Sequence, residues 1–121
     1  MEAGHVIIDV VGQEPEDWRV AHVEVAAGMW KGAFRWEFLT GELRRFGQDV
    51  QELFENLSGA ASLEPTEPNL TLKMIGDGKG HITVKGRAEA GFATGTYLVF
   101  ALALDQTELP AIAAALIAVD P

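Results

Sequence analysis

Cysteine is absent from the 121 residues. Its absence excludes a disulfide framework, a zinc finger, a thiol nucleophile and a cysteine-ligated iron–sulfur site. Positive charge is scarce: nine Lys and Arg stand against eighteen Asp and Glu, for a net charge of −9 at pH 7. That sign opposes the counterion release that drives nucleic-acid binding, so no direct role on DNA or RNA is expected. The longest stretch without a charged or strongly polar side chain is Leu109 to Val119, well short of the roughly 20 residues that a membrane helix needs. Met1 to Val11 places Glu2 ahead of any Lys or Arg and is interrupted by Asp9. A secretory signal has a positive start and an unbroken apolar stretch, so the expected location is cytoplasmic. Catalytic signatures are missing as well, with no HExxH, no GxSxG and no GxxxxGK[ST]. No catalytic residue, metal or cofactor is therefore assigned.

What is present suits one domain over residues 1–121, because domains run to about 100–200 residues and 48% of this chain is hydrophobic. Val6, Ile8 and Val10 alternate with His5, Ile7 and Asp9, as do Ala21, Val23 and Val25 with His22 and Glu24, and Phe34, Trp36 and Phe38 with Arg35 and Glu37. This period of two predicts three half-buried strands. The polar stretch Gln13 to Trp18 reads as a loop, and a turn is expected near Gly28 to Gly32. From Leu43 the period lengthens: Leu43, Phe46, Val50, Leu53, Phe54 and Leu57 form the apolar stripe of a helix, with Thr40 as N-cap and Gly59 just past its end. Ala60 to Pro68 reads as a loop. Strands are expected around Leu70 to Met74, His81 to Glu89 and Thr96 to Leu104, the first two joined by a hairpin at Gly76 to Gly80. The last of these strands is uncharged on both faces, so a central place in the sheet is expected. A closing helix at about 108–119 would take Thr107 as its cap, which puts Pro110 in the first turn. The class is α+β: an antiparallel sheet of about six strands with two helices on one face, in the order βββαβββα.

Each candidate chemistry has a plainer counterpart. His5, His22 and His81 sit at strand positions facing solvent and share no ligand spacing, so they read as solvated histidines. Lys79 in the glycine stretch is followed by Gly80 and a strand, which makes that stretch a hairpin rather than a phosphate loop. Ser58 and Ser62 have no elbow to sit on. Trp36 reads as core, whereas Trp18 and Trp30 lie in or beside loops, where partner contact is an alternative. Leu109 to Val119 lacks a polar face; its alanines are read as tolerated at the surface, ahead of a self-association face. Glu42, Asp49, Glu52 and Glu55 lie off the apolar stripe of the first helix, interspersed with Arg44 and Arg45. They form either an ordinary solvent face or an acidic docking surface for a basic partner.

Across Trp30 to Leu116, the segments GMWKGAFRWEFLTGEL, TEPNLTLKM, GKGHITVKG and LDQTELPAIAAAL resemble the small bacterial WapI-family immunity proteins and their uncharacterised relatives. The resemblance implies a cytoplasmic antidote that binds and blocks the toxic domain of a contact-dependent or polymorphic toxin, often a nuclease. An acidic surface would suit such a basic partner, because complementary fields speed association. On their uncompensated charge, Glu42, Asp49, Glu52 and Glu55, with Glu14, Glu16 and Asp17 from the loop, are the expected partner-binding residues. Two alternatives stand beside this reading. One is a ligand-binding or enzymatic domain with a pocket between the sheet and the second helix near Trp36 and Tyr97. The other is a homodimer formed through that helix or through the mixed-charge sheet face.

Overall fold

A computed structural model describes residues 4–91 and 94–121. Seven strands and two α-helices follow one another as β1 (Gly4–Gln13), β2 (Trp18–Ala27), β3 (Trp30–Leu39), α1 (Glu42–Asn56), β4 (Ser58–Leu63), β5 (Leu70–Asp77), β6 (His81–Ala88), β7 (Leu98–Asp105) and, after a 3-10 turn at Gln106–Glu108, α2 (Leu109–Ala118). The class is α+β. The expected single sheet is instead two antiparallel meanders, β1-β2-β3 and β4-β5-β6-β7. Between them α1 interrupts the chain, so each sheet pairs only neighbours joined by short connections.

Alternation places the core side chains. In the first sheet Val6 pairs with Val25, Ile8 with Val23 and Val10 with Ala21, and Ala21 and Val23 continue across to Trp36 and Phe34. In the second, Met74, Val84 and Leu102 lie in one cross-strand row. One continuous buried cluster joins these faces to Leu43, Phe46, Val50 and Leu53 of α1 and to Leu109, Ala113 and Leu116 of α2. Gly86 has no side chain because the ring of buried Phe100 lies over it: a Cβ there would fall 2.2 Å from Phe100 Cζ.

Several local expectations change. Ser58–Leu63, inside and ahead of the expected loop, is strand β4; its Gly, Ser and Ala residues carry little strand propensity, yet Ala61 and Leu63 alternate into the core. β7 is an edge strand rather than a central one, and on its uncharged outer face Val99 is 69% exposed. α1 ends with Leu57 in the left-handed region at φ 63°, two residues before Gly59. Asp105, not Thr107, caps the turn into α2, and Glu108 returns a bond to the Asp105 amide, closing a capping box. The outer side of α2 is made of exposed Ala111, Ala114, Ala115 and Ala118.

Candidate binding surface

The acidic turn between β1 and β2 is anchored to the start of α1. The Asp17 carbonyl accepts hydrogen bonds from the Thr40 amide and hydroxyl, both at 2.8 Å, so Thr40 holds the turn instead of capping the helix. Glu16 and Asp17 both take left-handed backbone angles, φ 64° and 66°, a conformation that costs an L-residue roughly 1–2 kcal/mol. The turn therefore projects both carboxylates outward, exposed and without an ion pair among the described residues. Glu14, also exposed, is engaged by Arg35 at 3.1 Å, and the same guanidinium reaches Glu37 at 2.8 Å.

Glu42 is committed internally. Its Oε1 accepts from the Leu39 amide at 2.6 Å and its Oε2 from the Thr66 amide at 2.7 Å, clamping the entry of α1 to the loop after β4. Asp49 is half-buried beside Arg45 and Glu64 in a small groove between α1 and β4. Glu52 and Glu55 are exposed and lie three turns or so further along, roughly 20 Å from Thr40 at about 1.5 Å per residue. The seven expected residues thus fall into an anchored turn and a distal helix face, with Glu42 holding structure between them. Glu64, absent from the expected set, joins Asp49 only because the stretch that holds it turns out to flank β4.

The helix cap at the start of α1 comes from far away in sequence. Gly41 stands at the N-cap at φ 97° with no side chain to offer. Fully buried Asp120 supplies the missing acceptor: its Oδ2 takes hydrogen bonds from the amides of Gly41, Leu43 and Arg44 at 2.8, 3.1 and 3.2 Å. Its other oxygen lies 3.4 Å from Arg19 Nε, and its backbone carbonyl accepts from Arg44 Nε at 3.1 Å. No sequence period marks a cap supplied from 76 or more residues away.

The histidines do not converge. Asp9 and Arg35 flank His22 in the register, while His5 bonds Glu24 at 2.7 Å and His81 bonds Asp77 at 3.0 Å. Among the described residues no three His, Cys, Asp or Glu side chains are placed to hold a metal. Three carboxylates are held below their ordinary values: Glu24 by the His5 and then the Lys31 hydrogen bond, Asp77 chiefly by the Lys79 amide, and Asp105 by the Thr107 amide and hydroxyl. All three are strand-end or surface anchors.

A pocket of about 520 Å³ does lie beneath α2, between β1 and the second sheet, lined by residues such as Val6, Ile8, Leu104 and Ile112. Trp36 and Tyr97 are not among them. Trp36 is core, stacked on Phe38 with its indole N–H donating to the Glu67 carbonyl at 2.9 Å, and Tyr97 is exposed at the other end, under the Arg87 guanidinium at 4.1 Å. Trp30, 64% exposed, shares with Tyr97 a shallow apolar cleft between β3 and the start of β7. No described helix is long and apolar enough to cross a membrane.

What this fold assembles is a set of surfaces: a strained acidic turn, an acidic helix face and an aromatic rim around a conventional core. The chain belongs to the immunity protein WapI-like family, whose model matches residues 2–119. No individual curated protein matches it.

Proposed function

We propose that the protein is a cytoplasmic antidote that folds as one domain and neutralises a cognate toxin domain by occluding it, without turnover of a substrate. Family membership supports the class of role. The observation that carries the surface is the outward display of Glu16, Asp17, Glu52 and Glu55 with no cation pairing them among the described residues. Such a face steers a basic partner, and its contribution lies mainly in the association rate. Asp49 and Glu14 extend it; Glu42 acts by fixing the entry of α1.

The test is association of the purified protein with the toxin domain encoded beside it, measured at low and high salt. Glu52→Lys with Glu55→Lys, and separately Glu16→Lys with Asp17→Lys, should slow association by about tenfold or more at low salt and flatten its salt dependence. Tight binding unchanged by both pairs would reject this surface and leave the role standing. Absence of binding and of protection by the unaltered protein would reject the role.

The pocket beneath α2 favours a second reading, in which an apolar small molecule is bound there. Native mass spectrometry of the purified protein decides it, since a retained ligand adds mass and an empty pocket does not.

A further inference from the structure

The outer face of the second sheet carries a charge pattern opposite to that of the molecule as a whole. Lys73 on β5 and Lys85 on β6 are both exposed and directly paired in the register, which sets their backbones about 5 Å apart with both side chains on one face. Arg87 projects from the same face of β6 two residues on, roughly 7 Å away. The neighbours completing these rows are Ser62 and Ala101 for the lysine pair, and Thr71 and Val99 for Arg87. None of them is acidic. Among the described residues, neither lysine has an ion pair, and Arg87 has only Glu89 at 3.9 Å, whose other oxygen accepts from the Thr94 hydroxyl at 3.2 Å.

Like charges directly opposed across a strand pair destabilise a sheet, and in a chain of net charge −9 carboxylates to relieve them are plentiful elsewhere. The repulsion is left standing here, beside an arginine stacked on Tyr97 and an exposed Val99. Arginine and tyrosine are among the side chains that carry most of the binding energy at protein interfaces, and here they stand together on an exposed face. We propose that this face docks a carboxylate-rich polypeptide segment. The carboxylates of the segment bridge Lys73 and Lys85, a further one pairs with the Arg87 guanidinium, and the segment's apolar side chains cover Tyr97 and Val99. A nucleic acid fits less well, because it brings no aliphatic side chains to cover exposed Val99 beside Tyr97, whereas a polypeptide supplies them together with its carboxylates. This face is separate from the acidic turn and α1, so it stands whether or not those residues contact a toxin.

The probe is a glutamate-rich peptide of about a dozen residues with two interspersed leucines, titrated into the isotope-labelled full chain and followed by amide chemical shifts. Shifts confined to β5, β6 and β7 around Lys73, Lys85, Arg87 and Val99, weakening as salt is raised, are the expected result. Lys73→Glu with Lys85→Glu should weaken binding by about tenfold or more, while Lys85→Glu alone raises the Tm of the free protein by about 1–3 °C, because the opposed pair becomes attractive. Lys85→Glu alone is expected to weaken binding as well, so its raised Tm separates loss of binding from loss of folding, which the double variant, with two glutamates opposed, does not. A Tyr97→Ala variant, which leaves every charge in place, should weaken binding as well. Shifts spread over the whole surface, unchanged binding in the lysine variants, or tighter binding of a single-stranded oligonucleotide of equal charge would each overturn the proposal.

Discussion

Asp120 is the residue on which most local structure converges. One carboxylate oxygen satisfies three amides at the start of α1, where Gly41 offers no acceptor, and the other faces Arg19. Loss of an N-cap costs about 0.5–2 kcal/mol, and leaving a partly buried arginine without its carboxylate adds to that. Asp120→Ala should therefore destabilise the protein by about 3 kcal/mol in urea unfolding. Asp120→Asn keeps an acceptor for the amides and should cost less than half as much. Asp77 gives a pH-dependent counterpart. Hydrogen bonds from the Lys79 amide first, and from His81, hold its pKa below the ordinary aspartate value. The stabilisation they give is thus complete above the unfolded-state pKa and is lost as pH falls through the depressed folded one. An Asp77→Asn variant should show a flatter decline of Tm on acidification below about pH 5 than the unaltered protein, read by circular dichroism melts.

At the scale of elements, the contact between the two helices depends on Gly47. A Cβ there would meet the Ala113 carbonyl, Ile117 Cγ1 and Leu116 Cβ, each at 3.0 Å, so α2 lies against the bare backbone of α1. Alanine at this position improves helix propensity by about 1 kcal/mol, yet it must push the helices apart. Gly47→Ala should be net destabilising by about 1–2 kcal/mol, whereas a stabilised variant in chemical denaturation would mean that α2 yields easily. The strands carrying alternating Val, Ile and Phe, and the stripe from Leu43 to Phe54, were legible because burial on one face writes a period into the sequence. β4 was not, since Ser58 to Ala61 are too small to show one. The division into two sheets was not either: residues 40–57 read as a helix whether it covers a sheet or separates two. The end of α1 was misplaced for a related reason. Leu57 takes the left-handed turn usually given to glycine, and the Gly78 amide donates to its carbonyl at 3.1 Å, a tertiary bond that local propensity cannot show. Of the expected contact residues, Glu16, Asp17, Glu52 and Glu55 are exposed as their polarity implied. Glu42 was not told apart from them: its bond from the Leu39 amide is local, but the one from the Thr66 amide, 24 residues on, forms only once the chain has folded.

Over the whole molecule the charge is sorted. Carboxylates crowd the turn at 14–17 and α1, and among the described residues Lys73 and Lys85 stand without an ion pair on the outer face of the second sheet, all within a net charge of −9. Mutual repulsion among the excess acids opposes the compact state, and the Debye length shrinks to about 10 Å at 0.1 M salt. The Tm should accordingly rise as sodium chloride goes from about 10 to 200 mM. A fall instead would show that the pairs of Arg35 with Glu14 and Glu37 and of Lys31 with Glu24 outweigh the repulsion. The tie between Asp120 and the amides of Gly41, Leu43 and Arg44 also sets an order of assembly. The front of α1 leaves the ribosome long before its acceptor is made, so any nascent or clipped chain stopping short of residue 120 holds that helix with frayed, unsatisfied amides. Two fragments cut in the loop after β4 should be inert apart and regain the native spectrum only when mixed.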